Sequence, residues 1–381
     1  MTTNLNIKYL VFYYHRPFGD SSSGQGKYIN DIINSFPEHI NIELIAPANI
    51  FGNEKRIYTF TGSLVNLICM LKKQIKHQLG AIIHKRREIC VIFDIYSAPL
   101  PLFFSKLKGF PIVYVASDVG SDYSRELLRI KSTRLPILTA ERIFIELLLM
   151  KWAKLVVVRS EYMKNELQRS GVRNSSIMVC KHQSDVTPPN VVDIMIMRKN
   201  LGLDNAVGIL FLGNCNYAPN DSAVKFILKR ILPALNSISD RVPTKLILVG
   251  SGTEKYNTID KDRLIAMGKV KDINNILYCC DIGLAPMEVT GGTSAKVIDY
   301  LTHGLLVIST MKAVKGVTMT DEIRISELRY FPTVLLEVIK SVGWNDRRLL
   351  LDERINRKIN DEYSNGLYYD KFRAKLIEML N

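Results

Sequence analysis

The chain has 381 residues, 47% of them hydrophobic and 23% charged, and a formal net charge of +14. The length exceeds the ~250–300 residues at which one hydrophobic core stops growing, so two domains are expected, and the composition excludes a disordered or fibrous chain. No run of ~18 apolar residues is free of charge, which argues against a transmembrane helix.

The nearest candidate for a membrane span, 143–158, is interrupted by Glu146, Lys151 and Lys154. Residues 1–6 are polar and uncharged and do not read as a signal peptide. Cys69, Cys90, Cys180, Cys215, Cys279 and Cys280 show no CxxC or Cys/His ligand spacing. No zinc site is expected from them, and buried free thiols in a reducing cytoplasm are. Residues 1–190 hold 25 basic against 15 acidic residues, a net of +10, and residues 191–381 hold 26 against 22, a net of +4. Anionic lipid, a phosphorylated small molecule and nucleic acid are the partner classes this charge admits.

In chain order, 7–14 reads as a buried strand, 15–26 as a loop rich in Gly and Ser, and 27–36 as a helix with Tyr28, Ile29, Ile32, Ile33 and Phe36 on one face. Strands are predicted at 42–46, 88–96 and 111–116, the last two joined by a short apolar segment around 100–107. A helix over 140–152 and a strand over 155–158 follow. Ser160 caps a helix over 161–169 that Gly171 ends. Thr187-Pro188-Pro189-Asn190 is the best linker. Beyond it the alternation resumes: strand 208–213, amphipathic helix 221–235, strands 245–250, 281–285 and 305–309, and a helix starting at Lys296 between the last two. This pattern gives an α/β chain of two Rossmann-like domains, with a ligand cleft expected between them at the carboxyl ends of the sheets.

Residues 64–87 stand apart. Leu64, Ile68, Leu71, Ile75, Leu79 and Ile82 form one helical stripe, with Lys72, Lys73, Lys76 and His77 elsewhere and Lys85-Arg86-Arg87 following. Such a basic amphipathic helix can lie in an anionic membrane interface, or can be a surface helix that packs its stripe on the sheet.

Four loops are candidates for chemistry. Gly24-Gln25-Gly26 lets backbone N–H groups approach an anion, or is a surface loop. Gly213, Asn214, Asn216 and Tyr217 lead to Asn220, a plausible N-cap for the helix from Asp221. Val270 and Ile273 can flank a flat heterocycle, while Asp272 can simply cap the helix 273–279. The run from Glu288 through Thr290, Gly291, Gly292 and Thr293 into the helix with Lys296 and Asp299 is the most informative. It offers N–H groups, a hydroxyl and a positive helix end, which a pyrophosphate needs. Lys296 adds charge, and Asp299 lies within reach of a ribose diol. A Gly loop followed by a Lys–Asp pair at i, i+3 is the structural alternative. The loop is not a Walker A motif.

These residues resemble the GT-B glycosyltransferases of the family-4 retaining type. Phe211-Leu-Gly213, Tyr217-Ala-Pro219-Asn220-Asp221 and Leu232-Pro233 are similar to the opening of that family's donor domain. Leu248-Val-Gly250-Ser-Gly252 resembles its second strand and loop. The closest match runs from Gly268 to Thr310, through Val270, Asp272, Asp281, Pro286, Gly292-Thr293, Lys296, Asp299, Gly304 and Val307. The N-terminal half matches through Gly24-Gln25-Gly26 and 153–160. The chain departs from the family at three places. The acidic pair is Gly291 and Asp299, with Glu288 a possible substitute for the first; no basic pair follows the first donor-domain strand; and the interdomain segment reads Lys181-His-Gln-Ser-Asp185.

The resemblance implies an acceptor-binding domain over 1–187 and a nucleotide-sugar-binding domain over 191–365, with a last helix, 366–381, returning to the first. It implies donor contacts from Gly213, Asn214, Gly250, Val270, Asp272, Gly291, Gly292, Thr293, Lys296 and Asp299. Lys296, Asp118 and Glu288 are the expected catalytic groups, although Asp118 can equally cap the segment after it. The expected reaction is sugar transfer with retention and no cofactor or essential metal. The acceptor would be a glycan or a polyprenyl- or glycolipid-linked glycan of surface polysaccharide synthesis, met by a cytoplasmic protein peripheral to the membrane through residues 72–87. A nucleotide-sugar epimerase and a non-catalytic GT-B-like subunit are the alternatives. Nucleic acid is not an expected partner, because no aromatic–basic interleaving is present.

Overall fold

The computed structural model describes residues 8–13, 32–34, 36, 40–45, 72, 74–76, 87–93, 98–116, 136–169, 171–172, 176–187, 190–238, 241–260, 262–290, 292–341, 357–364 and 366–380. The chain forms two compact units, Met1–Lys181 with Leu367–Asn381, and His182–Gly366.

The first unit contains β1 (Lys8–Tyr13), β2 (Asn41–Ile45), β3 (Arg87–Ile92), α1 (Pro99–Lys108), β4 (Ile112–Val115), α2 (Pro136–Trp152), β5 (Leu155–Val158), α3 (Glu161–Arg169) and β6 (Ile177–Val179). All the strands pair in parallel, in the order β2-β1-β3-β4-β5-β6. A parallel sheet is covered on both faces, so its strands are continuous apolar runs. One face carries Val11, Cys90, Ile92, Tyr114, Val156 and Val158, covered by Leu102 of α1, Leu149 of α2 and Met163 of α3. The other carries Leu10, Phe12, Val91, Val113 and Val157, covered by Ile32 and Phe36 and by Tyr369, Phe372, Leu376 and Leu380 of the C-terminal helix Leu367–Leu380. The segment around 100–107 is helical: Pro99 stands in the first turn, where no amide hydrogen is needed, and Leu102 and Ser105 recur on the buried side. Ser160 caps α3, its hydroxyl accepting the Met163 amide at 3.3 Å.

The second unit contains α4 (Val191–Asn200), β7 (Val207–Leu212), α5 (Ala218–Phe226), a π turn (Ile227–Ile231), α6 (Leu232–Asn236), β8 (Thr244–Val249), β9 (Leu264–Gly268), α7 (Asn274–Cys279), β10 (Ile282–Ala285), α8 (Ala295–Thr302), β11 (Leu306–Ser309), β12 (Ile323–Ile325), α9 (Phe331–Ser341) and α10 (Arg357–Tyr363). Its parallel sheet runs β12-β11-β10-β7-β8-β9. The helix expected over 221–235 starts at Ala218 and passes through the π turn, and Tyr217, not Asn220, is its N-cap. The Pro-rich linker ends in a helix cap: the Asn190 side chain accepts the Val192 amide at 3.0 Å and starts α4.

Two buried polar groups fix this sheet. Asp281 is fully buried; it accepts the Gly208 amide at 2.8 Å and lies 3.7 Å from the Arg198 guanidinium, so its charge is paired. Tyr300 of α8 lies against Gly283, where a side chain would collide with the ring. Its hydroxyl accepts the Leu212 amide at 2.7 Å and donates to the Leu284 carbonyl at 3.3 Å. It thereby joins the ends of β7 and β10, beyond their paired residues Ile209–Ile282 and Leu210–Gly283.

The five described cysteines, Cys90, Cys180, Cys215, Cys279 and Cys280, are buried free thiols. No described helix is long and apolar enough to cross a membrane. In the basic segment the described residues include Lys72 and Lys76, both exposed; Ile75 is exposed as well, and Gln74 is the buried one. An exposed Ile75 goes against the reading in which the stripe packs on the sheet and leaves the interface reading standing.

Candidate functional site

β7 and β10 are neighbours in the middle of the second sheet, yet the chain leaves them for opposite edges, toward β8 and toward β11. The loops after them diverge, and ligands of open α/β sheets bind at such a switch point. Both loops carry predicted site residues: Gly213 and Asn214 follow β7, and Glu288, Gly292 and Thr293 follow β10 and lead into α8.

Asn220 organises the first loop. Its side-chain amide donates to the Asn214 carbonyl at 3.1 Å, and its Oδ1 accepts from Lys296 Nζ at 2.8 Å. Gly213 lies so close to Asn220 that a Cβ there would come within 2.8 Å of the side chain. Gly250, at φ 134°, abuts the Gly213 backbone, and a side chain would collide with its carbonyl. Gly213, Asn214 and Lys296 are thus gathered around Asn220, which the sequence suggested only as a cap, and Gly250 joins them through Gly213. The signal for Asn220 was its place in the Pro219-Asn220 match.

Lys296 is the electrostatic centre. Its ammonium lies 4.2 Å from the centroid of the Phe211 ring and 3.7 Å from Met287 Sδ, besides its bond to Asn220. Burial pushes the amine down from 10.5 to about 7, against a weaker opposing influence from Cys215. Burial also pushes that thiol up, to about 11, so near neutral pH it carries no charge to balance Lys296. Among the described residues no carboxylate pairs with this amine, and the Lys296–Asp299 pair that the i, i+3 spacing allows is not formed.

The entry to α8 is also open to an anion. Ser294 is the N-cap but makes no side-chain cap bond, and the enclosed Thr293 hydroxyl has no hydrogen-bond partner. Helix N-terminal amides without a cap are anion donors. The Thr290 hydroxyl, by contrast, donates to the Lys312 carbonyl at 2.9 Å. Lys312 Nζ holds the Glu288 carbonyl at 2.9 Å, and the Glu288 side chain is exposed. Asp118, Gly24, Gln25, Gly26 and Gly291 lie outside the described residues.

Asp299 belongs to a second group of residues. Its Oδ1 accepts from Ser184 Oγ at 2.8 Å and lies 3.5 Å from His182 Nε2. His303 connects its backbone to the first residue of α7: Nδ1 is 2.8 Å from the Asp299 carbonyl and Nε2 is 3.2 Å from Asn274 Oδ1. Asp272 accepts the Asn274 amide at 2.9 Å in a turn just ahead of α7, whose N-cap is Ile273 and makes no side-chain cap bond. Val270 packs against the core of this unit. Tyr278 lies beside His303, with ring centroids 4.7 Å apart, and burial pushes its hydroxyl up to about 12. His182 and Ser184 were visible in the sequence only as part of a departure from a motif.

Residues 206–323 match a family model described as glycosyl transferases group 1. No curated protein matches the chain. Among solved structures, Anabaena HepE in complex with UDP superposes with a TM-score of 0.68 at 13% identity, covering 97% of this chain and 99% of that one. Sucrose-phosphate synthase from Thermosynechococcus elongatus gives 0.69 at 13% identity, with 98% of each chain covered. WaaG, a glycosyltransferase involved in lipopolysaccharide biosynthesis, gives 0.63 at 14%, covering 96% of this chain and 98% of that one. At these identities the likeness is one of fold. The chain thus resembles the group 1 glycosyltransferases across 206–323 and has the two-sheet α/β fold of the GT-B enzymes.

Proposed function

We propose that this protein transfers a sugar from a nucleotide-sugar donor to a glycan or lipid-linked glycan acceptor, with retention at the anomeric carbon. The observation that carries the reading is Lys296: an enclosed amine without a counter-charge among the described residues, at the switch point, in the first turn of a helix whose first amides lack a side-chain cap. A diphosphate supplies the missing negative charge. The match of 206–323 to a group 1 glycosyltransferase model and the UDP bound by HepE, a fold neighbour, support a nucleoside diphosphate in that role.

In this reading the bond between the anomeric carbon and the diphosphate oxygen breaks while the acceptor oxygen bonds to the same face. The acceptor proton passes to the departing phosphate. The protein stabilises the growing charge through the α8 amides, the Thr293 hydroxyl and protonated Lys296. Asp299 holds the ribose, Gly213, Asn214 and Gly250 let the donor approach the backbone, and Val270 and Ile273 flank the base, with Asp272 beside them on the donor. Gly291 and Gly292 shape the phosphate loop. Glu288 and Asp118 are proposed to contact the sugar or the acceptor, and Gly24, Gln25 and Gly26 to line the acceptor side. No metal is required, since Lys296 supplies the cation.

A peripheral membrane contact on the cytoplasmic face fits a lipid-linked acceptor. Lys72 and Lys76 are exposed beside exposed Ile75. On α1 and α2, which cover the same face of the first sheet, Phe103, Leu107, Phe144 and Leu147 are exposed together with Lys106 and Lys151. Apolar side chains mixed with lysines suit an anionic interface.

The test is calorimetric titration with UDP, GDP, ADP and TDP, followed by NMR of donor turnover. Binding of one nucleotide and a product with the donor's anomeric configuration are expected. No binding by any of the four refutes the donor assignment, and inverted product refutes retention.

A further inference from the structure

We infer that His182 and Ser184 are positioning residues for the Asp299 carboxylate, and through it determinants of selectivity for a ribose over a deoxyribose nucleotide. The inference rests on the proposal above that Asp299 meets the ribose of a nucleoside diphosphate.

Ser184 is held from both sides. Its amide donates to the Tyr363 carbonyl at 2.6 Å, and its hydroxyl lies 3.0 Å from the Thr302 hydroxyl. The neighbouring Gln183 side chain accepts the Gly366 amide at 2.8 Å and donates to the Glu362 carbonyl at 3.4 Å. A residue fixed in this way presents its hydroxyl in one direction, and that direction leads to Asp299 Oδ1 at 2.8 Å. Bonding one carboxylate oxygen to a fixed donor sets the plane of the carboxylate, and hence the approach open to a diol that must reach it with two hydroxyls.

His182 is the second observation. It is 2% exposed, and neither ring nitrogen has a hydrogen-bond partner. Buried polar groups are nearly always paired, because leaving one unpaired is costly. Asp299 Oδ1 lies 3.5 Å from Nε2. That is just too long for a good hydrogen bond, and a small rotation of either side chain closes it. A ligand that draws the carboxylate toward His182 can therefore gain a histidine hydrogen bond. Asp299 is shorter than the glutamate that the resembled family carries at this position, and Ser184 and His182 contact it from the chain's own His182–Ser184 segment.

The test compares UDP, GDP and ADP with their 2′-deoxy and 3′-deoxy forms on the full chain, by calorimetry. The variants are Asp299→Asn, Ser184→Ala, Ser184→Thr and His182→Phe, with denaturation curves showing that each is folded. Wild type is expected to prefer one ribonucleotide over its deoxy forms by about tenfold or more, and Asp299→Asn to abolish the preference. Ser184→Ala and His182→Phe are expected to cut the preference at least threefold while leaving deoxynucleotide affinity within twofold, and Ser184→Thr to restore it. A change that only loosened the fold would weaken all the nucleotides alike, and that outcome overturns the inference. So does a preference lost in Asp299→Asn but kept in both Ser184→Ala and His182→Phe, although the ribose role of Asp299 then stands. If wild type binds none of the nucleotides, the donor assignment falls and takes this inference with it.

Discussion

Replacing Lys296 by methionine separates a ligand-binding lysine from a structural one, because the two predict opposite effects on stability. The amine is held at about 7 in the folded protein against an ordinary 10.5. Below pH 7 both folded and unfolded chains are protonated there, and holding the charge in its enclosure costs the fold up to ~5 kcal/mol, at 1.36 kcal/mol per tenfold change. The side chain is partly exposed, and screening by solvent brings that to ~2–4 kcal/mol. Methionine keeps the contacts with Phe211 and Met287 but leaves Asn220 Oδ1 without its donor, a loss of ~1–2 kcal/mol. The variant should therefore be more stable than wild type by ~1–2 kcal/mol at pH 6. Between pH 7 and 10.5 the unfolded wild-type chain binds more protons than the folded one, so wild-type stability rises with pH and the advantage of the variant disappears by about pH 10. Urea denaturation at pH 6, 7.5 and 9 measures this, and titration with the nucleoside diphosphate that wild type binds measures the function lost. A variant less stable than wild type at pH 6, with unchanged nucleotide affinity, would refute the assignment of Lys296 as an anion-binding residue.

Nucleoside diphosphate binding should draw a proton onto Lys296 above pH 7, so affinity falls from pH 7 to 9; calorimetry in buffers of different ionisation enthalpy reads the proton uptake, and none at pH 8 would contradict the lowered amine. Tyr300→Phe should cost ~1–3 kcal/mol in urea denaturation, because it strands the Leu212 amide between β7 and β10. Gly250→Ala should destabilise the second unit by more than ~2 kcal/mol, since its Cβ would strike the Gly213 carbonyl at a positive φ; a drop below ~0.5 kcal/mol would show that the two loops give way easily. Flotation with anionic vesicles should be salt-sensitive and should weaken when Lys72, Lys73 and Lys76 become Gln. If wild type ignores anionic vesicles at low salt, the membrane contact is refuted.

The sheets were legible because parallel strands buried on both faces are uninterrupted apolar runs, as in 155–158 and 246–249. β6 and β12, with three residues each, are too short to form such a run. α4 was hidden because Val191, Val192, Met195 and Ile196 are exposed while Ile194 is buried, which gives no helical stripe. At the candidate site, Lys296 and the Gly-Thr loop were readable from local spacing. Asn220, His182 and Ser184 were not, because their partners lie 76, 117 and 115 positions away in sequence, and only folding brings them together.

Tyr300 gives α8 a pivot. The helix is anchored in its second turn by a ring lodged against Gly283 and by a hydroxyl bound to two strands, so sliding it along the sheet would break both contacts. Lys296 and Asp299 sit on the same lever, at different distances from the pin. The loop beginning at Gly213 follows directly on the Leu212 amide that this hydroxyl holds, so the loop and the helix share one anchor.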